Sequence, residues 1–259
     1  MSGNTAEPGR SVLSRALAVL GCFTDEQPEQ TLGMIVAATG LASATAYRLV
    51  AELVEWGALE RPARGRYRIG TRLWQLGSLA PVARDLRDVA LPFLQDLAAV
   101  TGQVVHLVVL EGERALFVER LVGHADVRVR SRVGRLLPLH ASGPGKVLLA
   151  HGPPDLLAAV LARGLDRAAS GTITEPDRLV RALADIRATG YCLSRNEMTE
   201  GASSVAAPVH GPDGGVVAGL SVVVPSSTDN LQPLVPAVRL TAAAISRALG
   251  SSSLSGRKA

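Results

Sequence analysis

The 259-residue chain is 47% hydrophobic, 19% charged and only 3% aromatic, which excludes disorder as its dominant state and supplies core for one large or two modest domains. Its longest nearly apolar run, Val216 to Val224, is interrupted by Gly219 and Ser221 and falls far short of the roughly 20 residues that cross a bilayer. The formal charge of +4 permits a nucleic-acid partner without demanding one.

The first ten residues are polar and no signal-peptide core follows them, while Cys22 and Cys192 stand far apart without a CxxC spacing. Together these features predict a cytoplasmic chain with no disulfide framework and no membrane partner. Residues 1–10 and 250–259 are small and polar and are expected to be disordered.

From Ser11 the pattern is helical. Leu13, Ala16, Leu17 and Leu20 recur at helix spacing, and Leu32, Ile35 and Val36 do so again before Gly40. Ser43 is expected to cap a third helix that buries Ala46, Leu49, Val50 and Leu53 and stops at Gly57. Ala58 to Arg61 and Arg66 to Ile69 then read as two short strands around a Pro62-Ala63-Arg64-Gly65 turn. Between Arg61 and Arg72 there are five arginines and no acid.

Two helices joined by a glycine turn and followed by a basic hairpin describe a winged helix-turn-helix. Its outward helix face (Ala44, Thr45, Arg48, Glu52) would enter the major groove, and Arg64, Arg66 and Arg68 would reach phosphates or the minor groove. The competing reading is a helical bundle with a solvated arginine-rich loop.

Leu73, Trp74, Leu76 and Leu79 follow at near-helical spacing and are candidates for a subunit contact or for packing within the chain. Arg84 to Val100 reads as helix with Pro92 as a kink or a new first turn. Gln103–Leu110 and Ala115–Leu121 read as strands around a Glu111-Gly112-Glu113 turn. Asp126–Val133 alternates Val with Arg128, Arg130 and Arg132, as an anion-attracting or solvated sheet face. Thr174 and Asp177 resemble a capping box for a helix running to about Ala188. Strands are expected at Tyr191–Ser194, Ser203–His210 and Val216–Val224, then a final helix from about Leu231 to Leu249.

No catalytic arrangement emerges. Gly143-Pro144-Gly145-Lys146 lacks the earlier glycine and the following Ser or Thr of a P-loop, although a helix from Lys146 could still offer backbone N–H groups to a ligand oxygen. His106, His124, His140, His151 and His210 show no metal-ligand spacing, and Ser221 lacks the second glycine of a nucleophile elbow. The sequence therefore predicts no enzyme, no metal and no cofactor. The alternative kept open is a small-molecule enzyme or sensor whose N-terminal domain mediates protein contacts.

From about Ser11 to Leu249 the chain resembles the IclR family of bacterial transcriptional regulators. The resemblance is carried by Ser11 to Leu17, Thr39-Gly40-Leu41 with Thr45 to Leu49, and Gly65 to Gly70. It continues in Leu137 to Lys146, Arg187 to Tyr191, Glu200-Gly201 and Ala206 to Val209. It implies an α+β architecture: a winged helix-turn-helix over 11–72, a linker helix over 73–84, and a GAF-like effector-binding domain with an antiparallel sheet over 85–249. It also implies a homodimer or homotetramer on a pseudo-palindromic double-stranded DNA operator, acting as a repressor and answering to a small organic effector.

By position, the DNA-binding residues would be Ser43, Thr45, Tyr47, Arg48, Arg64, Arg66 and Arg68, with Ala44 standing where a basic residue is common. The effector site would be Gly143, Pro144, Ser194, Ser204, Ser221 and Val223. Where the family's small-acid sensors carry an Asp, a Cys and two serines, only Ser221 is retained. The resemblance therefore implies a larger or more hydrophobic organic ligand, such as an aromatic or aliphatic acid, held mainly by neutral hydrogen bonds.

Overall fold

The computed structural model describes residues 11–24, 26–80, 85–124 and 131–256, the last six as backbone only. Contacts divide the chain into two units, Met1–Ala80 and Pro81–Ala259.

In the first unit α1 (Val12–Leu20) starts at Ser11, whose side chain accepts from the Ser14 N–H. A short strand, β1 (Glu29–Thr31), leads into α2 (Leu32–Thr39), capped by the Thr31 hydroxyl. Gly40 then turns the chain with φ 69°, a left-handed conformation that glycine adopts without a Cβ penalty. The next helix, α3, spans Ser43–Trp56. The two axes differ by 115°, as in a helix-turn-helix. Ser43 does not cap α3: Ala42 holds the N-cap position and no side-chain bond is made, so Ser43 is the first helical residue.

β2 (Leu59–Ala63) and β3 (Arg66–Ile69) form the hairpin, and β1 adds to it in the order β1-β3-β2. Pro62 and Ala63 belong to β2 rather than to the turn, which shrinks to Arg64-Gly65 with Gly65 at φ 78°. A register shift between Glu60 and Ala63 absorbs the proline, which cannot donate to the ladder. Val19, Ile35, Leu49, Val50, Leu59 and Tyr67 form this unit's core. A further helix, α4 (Thr71–Gly77), leaves Trp74, Leu76 and, just past its end, Leu79 exposed.

The second unit begins with α5 (Arg87–Thr101), which carries Pro92 inside it. A six-stranded antiparallel sheet follows. Its strands are β4 (Val104–Glu111), β5 (Arg114–Leu121), β6 (Leu136–Pro138), β7 (Cys192–Arg195), β8 (Ala202–His210) and β9 (Val216–Pro225), in the order β6-β5-β4-β9-β8-β7. Between β6 and β7 come α6 (Gly143–His151), α7 (Leu156–Arg163) and α8 (Pro176–Thr189), and α9 (Leu234–Gly256) closes the chain.

Strand residues alternate between faces. Val105, Leu107, Leu220, Val222, Val205 and Ala207 join α5 and α9 in one core. Val108, Ala206 and Cys192 join α6, α7 and α8 in another.

Several expectations shift. The Asp126–Arg130 part of the alternating stretch lies outside the described residues, and Ser131 to Val133 is not strand. The Thr174–Asp177 box does not form: α8 starts at Pro176 with Glu175 as N-cap, while the Thr174 hydroxyl bonds Glu175. The final helix begins three residues late because Leu231 to Pro233 form a turn, and it runs on to Gly256. The backbone of 250–256 is thus helical rather than disordered, since no proline stands there to remove a helix hydrogen bond. Residues 1–10 and 257–259 lie outside the described residues.

Candidate functional sites: a basic wing and a hydroxyl-lined cavity

On α3 the side chains of Ser43, Tyr47 and Arg48 are exposed and Thr45 is half-buried, while Ala46, Leu49 and Val50 face the core. On the wing Arg64, Arg66 and Arg68 are exposed. The acid-free stretch of sequence is not acid-free once folded. Arg66 lies 3.6 Å from Glu29, a pairing created by the β1–β3 register, and Arg68 forks onto Glu60 Oε2 at 2.9 and 3.0 Å.

Glu60 also accepts from the Thr71 backbone N–H and hydroxyl, and these bonds together with Arg68 hold its carboxyl down to about 2. Arg72 stacks on Trp56 at 4.4 Å, and Arg61 lies 5.8 Å from the Tyr67 ring centre. Among the described residues Arg48, Arg61, Arg64 and Arg72 have no acid partner, Arg61 and Arg72 lying instead against aromatic rings, while Arg66 is loosely paired and Arg68 firmly so.

In the second unit one cavity, about 510 Å³ of space partly open to solvent, gathers all six expected effector residues: Gly143, Pro144, Ser194, Ser204, Ser221 and Val223. Sheet register explains the gathering. Ser194, Ser204, Val223 and Val104 lie side by side across β7, β8, β9 and β4, and the next row on that face is Cys192, Ala206, Ser221, His106.

Gly143 to Gly145 are the first turn of α6 rather than a turn before it. Ser142 caps that helix through the Gly145 N–H, and Pro144 sits in the first turn, where a missing N–H costs nothing. The Lys146 N–H closes the first turn on the Ser142 carbonyl, and Gly143, as the first helical residue, has an N–H without an intrahelical partner. A Cβ on Gly143 would come within 2.6 Å of Ser204 Oγ, and one on Gly219 within 2.8 Å of the Pro144 carbonyl. Glycine at these two positions lets the helix end sit directly on the sheet.

Three features escaped the sequence reading. Lys146 is buried and bonds both carboxylate oxygens of Glu197, the farther at 2.6 Å, and Glu197 lines the cavity. The signal was an isolated lysine among apolar residues in a chain that otherwise uses arginine. Burial beside this pair pushes the Cys192 thiol up to about 11, so it stays protonated and unreactive.

The second missed feature is His106, which also lines the cavity and bonds Ser131 Oγ at 2.7 Å, while Arg120 Nε donates to the same oxygen at 2.9 Å. Burial, and then the Arg120 charge, lower His106 to about 3. A serine–histidine pair of this kind is not a nucleophile and base, because the buried histidine does not readily take a proton and the serine oxygen already accepts from Arg120. Third, Ser221 Oγ is fully buried, faces the cavity and has no hydrogen-bond partner among the described residues, a state that costs free energy unless something fills it.

Comparison with known proteins gives a consistent result. Residues 12–63 match the IclR helix-turn-helix domain, and residues 80–247 match the family described as bacterial transcriptional regulator IclR C-terminal. The glycerol operon regulatory protein of Streptomyces coelicolor is 36% identical over 246 residues, covering 92% of this chain and 96% of that protein. The HTH-type transcriptional repressor AllR of Klebsiella pneumoniae is 31% identical over 251 residues, covering 95% and 92%. Among solved structures, an IclR homolog from Microbacterium hydrocarbonoxydans complexed with 4-hydroxybenzoate is 37% identical with a TM-score of 0.87, covering 93% of this chain and 100% of that one.

Proposed function

The chain belongs to the IclR family of bacterial DNA-binding transcriptional regulators, with an effector-binding C-terminal domain, and from that premise we propose that it is a cytoplasmic repressor released from its operator by a small organic acid. The observation that carries this reading is the cavity, in which the first turn of α6 meets hydroxyls from three strands and one of those hydroxyls is buried without a partner among the described residues.

The Gly143 N–H, at the positive end of α6, together with Ser194 and Ser204, forms the receiver for a carboxylate. Phe117, Leu137, Met198 and Val223 supply apolar surface for the rest of the molecule. That a structural relative binds 4-hydroxybenzoate supports an acid of this size. The protein acts by binding and not by turnover, as its regulator relatives do.

On the DNA side, Thr45, Tyr47 and Arg48 read base edges, Ser43 contacts the backbone at the start of α3, and Arg64 and Arg66 hold phosphates. Arg68 organises the wing through Glu60 rather than adding affinity. One helix-turn-helix reads only a half-site, so the working unit is at least a dimer on a pseudo-palindromic site. Exposed Trp74 (72%), Leu76 (50%) and Leu79 (60%) are its candidate contact. The functional division is 11–72 for DNA, 73–84 for the link and 85–249 for the effector.

Fluorescence anisotropy on DNA from upstream of the protein's own gene tests this reading. Nanomolar binding that weakens on adding 4-hydroxybenzoate supports it. Binding to no upstream fragment, or binding indifferent to every aromatic and aliphatic acid tried, contradicts it.

A further inference from the structure

Apolar packing does not fix the direction of α4. Among the described residues, the first unit's core of Val19, Ile35, Leu49, Val50, Leu59 and Tyr67 takes none from α4, and no residue of that helix is buried. What holds the helix is a set of polar and steric contacts at its first turn.

The Glu60 carboxylate, on β2, uses both of its oxygens. Oε1 accepts from the Thr71 backbone N–H at 3.0 Å and from the Thr71 hydroxyl at 2.9 Å, while Oε2 receives the fork of Arg68 from β3. Thr71 opens α4, and the N-cap, Gly70, has no side chain to offer it. A carboxylate from eleven positions upstream therefore supplies the acceptor and the negative charge that a helix N-terminus favours. Arg72 donates to the Trp56 carbonyl at 3.2 Å and stacks on the ring of the same residue. Beside them the Gly70 N–H bonds the Ala58 carbonyl at 2.8 Å, and a Cβ on Gly70 would collide with the Gly57 carbonyl. The start of α4 is thus joined at once to the last turn of α3 and to both strands of the wing.

Resting on the reading of the protein as a dimer that meets through the exposed face of α4, we propose that Glu60 and Arg72 determine specificity without touching a base. They fix the angle between α4 and α3, and with it the half-site spacing that the dimer accepts.

A small movement is enough. The seven residues of α4 make an arm of about 10 Å at 1.5 Å per residue. With the partner held along such an arm, a swing of about 20° at the joint carries α3 by about 3–4 Å, one base-pair step along the duplex. A rigid joint accepts one spacing, and a loose joint accepts its neighbours as well. Because the core closes without α4, loosening the joint leaves α3 and the wing folded and able to read a single half-site. Glu60 and Arg72 are positioning residues in this sense.

Fluorescence anisotropy on the full-length protein tests the assignment with DNA from upstream of its own gene, the two half-sites being located by footprinting. The duplexes are the natural one, versions with one, two or five base pairs inserted between the half-sites, and one carrying a single half-site. The wild type is expected to lose about tenfold at two inserted base pairs and about 100-fold at five, as simultaneous engagement of both sites fails. Glu60→Ala and Arg72→Ala are expected to bind the first three duplexes within about threefold of one another and still lose affinity at five. Glu60→Gln, which keeps an oxygen for Thr71, should fall between them and the wild type. Glu60→Ala also releases Arg68 toward phosphates, but the ratio of affinities across spacings cancels that uniform gain. Single half-site affinity should not fall in any variant, and thermal unfolding checks each fold.

A spacing preference in Glu60→Ala and Arg72→Ala as sharp as that of the wild type overturns the joint and leaves the dimer reading standing. So does a loss of single half-site affinity as large as the loss at the natural spacing, which would make the two residues part of the reading head's own fold. A wild type indifferent even to five inserted base pairs contradicts the two-half-site reading itself, and the joint falls with it.

Discussion

The wing and the cavity wall are both antiparallel sheets bearing polar side chains, but they keep those side chains in opposite states. On the wing the charges are exposed and partly answered: Arg68 is clamped by Glu60 and Arg66 lies near Glu29. In the cavity the groups are buried and partly unanswered: Ser221 has no partner among the described residues, and the Lys146–Glu197 ion pair is closed on itself. A loose exposed pair such as Arg66–Glu29 is worth little and gives way readily to a phosphate contact, while the forked Arg68–Glu60 contact keeps Arg68 on the wing. Buried unpaired hydroxyls are costly and wait for a specific ligand. One surface is therefore built for a long charged polymer, the other for a small molecule matched group by group.

The largest effect should come from the buried pair. Lys146→Met leaves Glu197 buried without a counter-charge and is expected to destabilise the second unit by about 3–5 kcal/mol. Removing both charges with Lys146→Met and Glu197→Leu should return much of that loss. Denaturant unfolding measures both, and an equal loss in single and double variants would show that the pair's charge is not what matters.

Next is the contact of α6 with the sheet. Gly219→Ala forces a methyl against the Pro144 carbonyl and should cost about 1–3 kcal/mol by overpacking, with effector binding weakened as the helix end moves. A variant of wild-type stability and affinity would mean that the helix is not seated as described.

On the other side of the comparison, Arg48→Ala should cost about 1–3 kcal/mol at the operator and relax sequence preference. Arg64→Ala should weaken binding to every sequence and flatten the log–log salt slope by about 0.9. Arg68→Ala, whose charge Glu60 already answers, should change the slope least. A slope change for Arg68 as large as that for Arg64 would break the ranking.

Near neutral pH the smallest effect is a pH dependence, which grows only on acidification. His106 titrates near 3 in the fold against about 6.5 unfolded. Between those values the unfolded chain binds the extra proton, so the second unit loses stability as pH falls from about 6.5 toward 3. His106→Leu should reduce that loss, as measured by thermal unfolding across the range. The same slope in both proteins would assign it to other groups.

What the sequence disclosed follows from how local each feature is. The helix-turn-helix was readable because Gly40, Gly57 and the i, i+3, i+4 spacing of Ala46, Leu49 and Val50 are local signals. β1 was not, because three residues carry no usable alternation and their pairing with β3 spans nearly forty positions. The same distance hid the Arg66–Glu29 contact.

The six cavity residues came from motif resemblance; register makes Ser194, Ser204, Ser221 and Val223 neighbours, and the seating of α6 on the sheet brings Gly143 and Pro144 to them. His106 and Lys146 were passed over because a lone histidine in an apolar strand, or a lysine after glycine, looks structural until its partners arrive from 25 and 51 positions away. Ser43 and Thr174 failed as caps because suitable residue type does not fix the backbone angle that a cap needs.

The central claim is that the cavity governs the wing's hold on DNA while contributing nothing to that hold itself. Ser204→Leu fills the cavity beside Gly143, within the second unit. Operator binding by anisotropy, with and without 4-hydroxybenzoate, should give the variant wild-type affinity in the absence of acid and no response in its presence. A variant that still releases the operator on adding the acid would contradict the account.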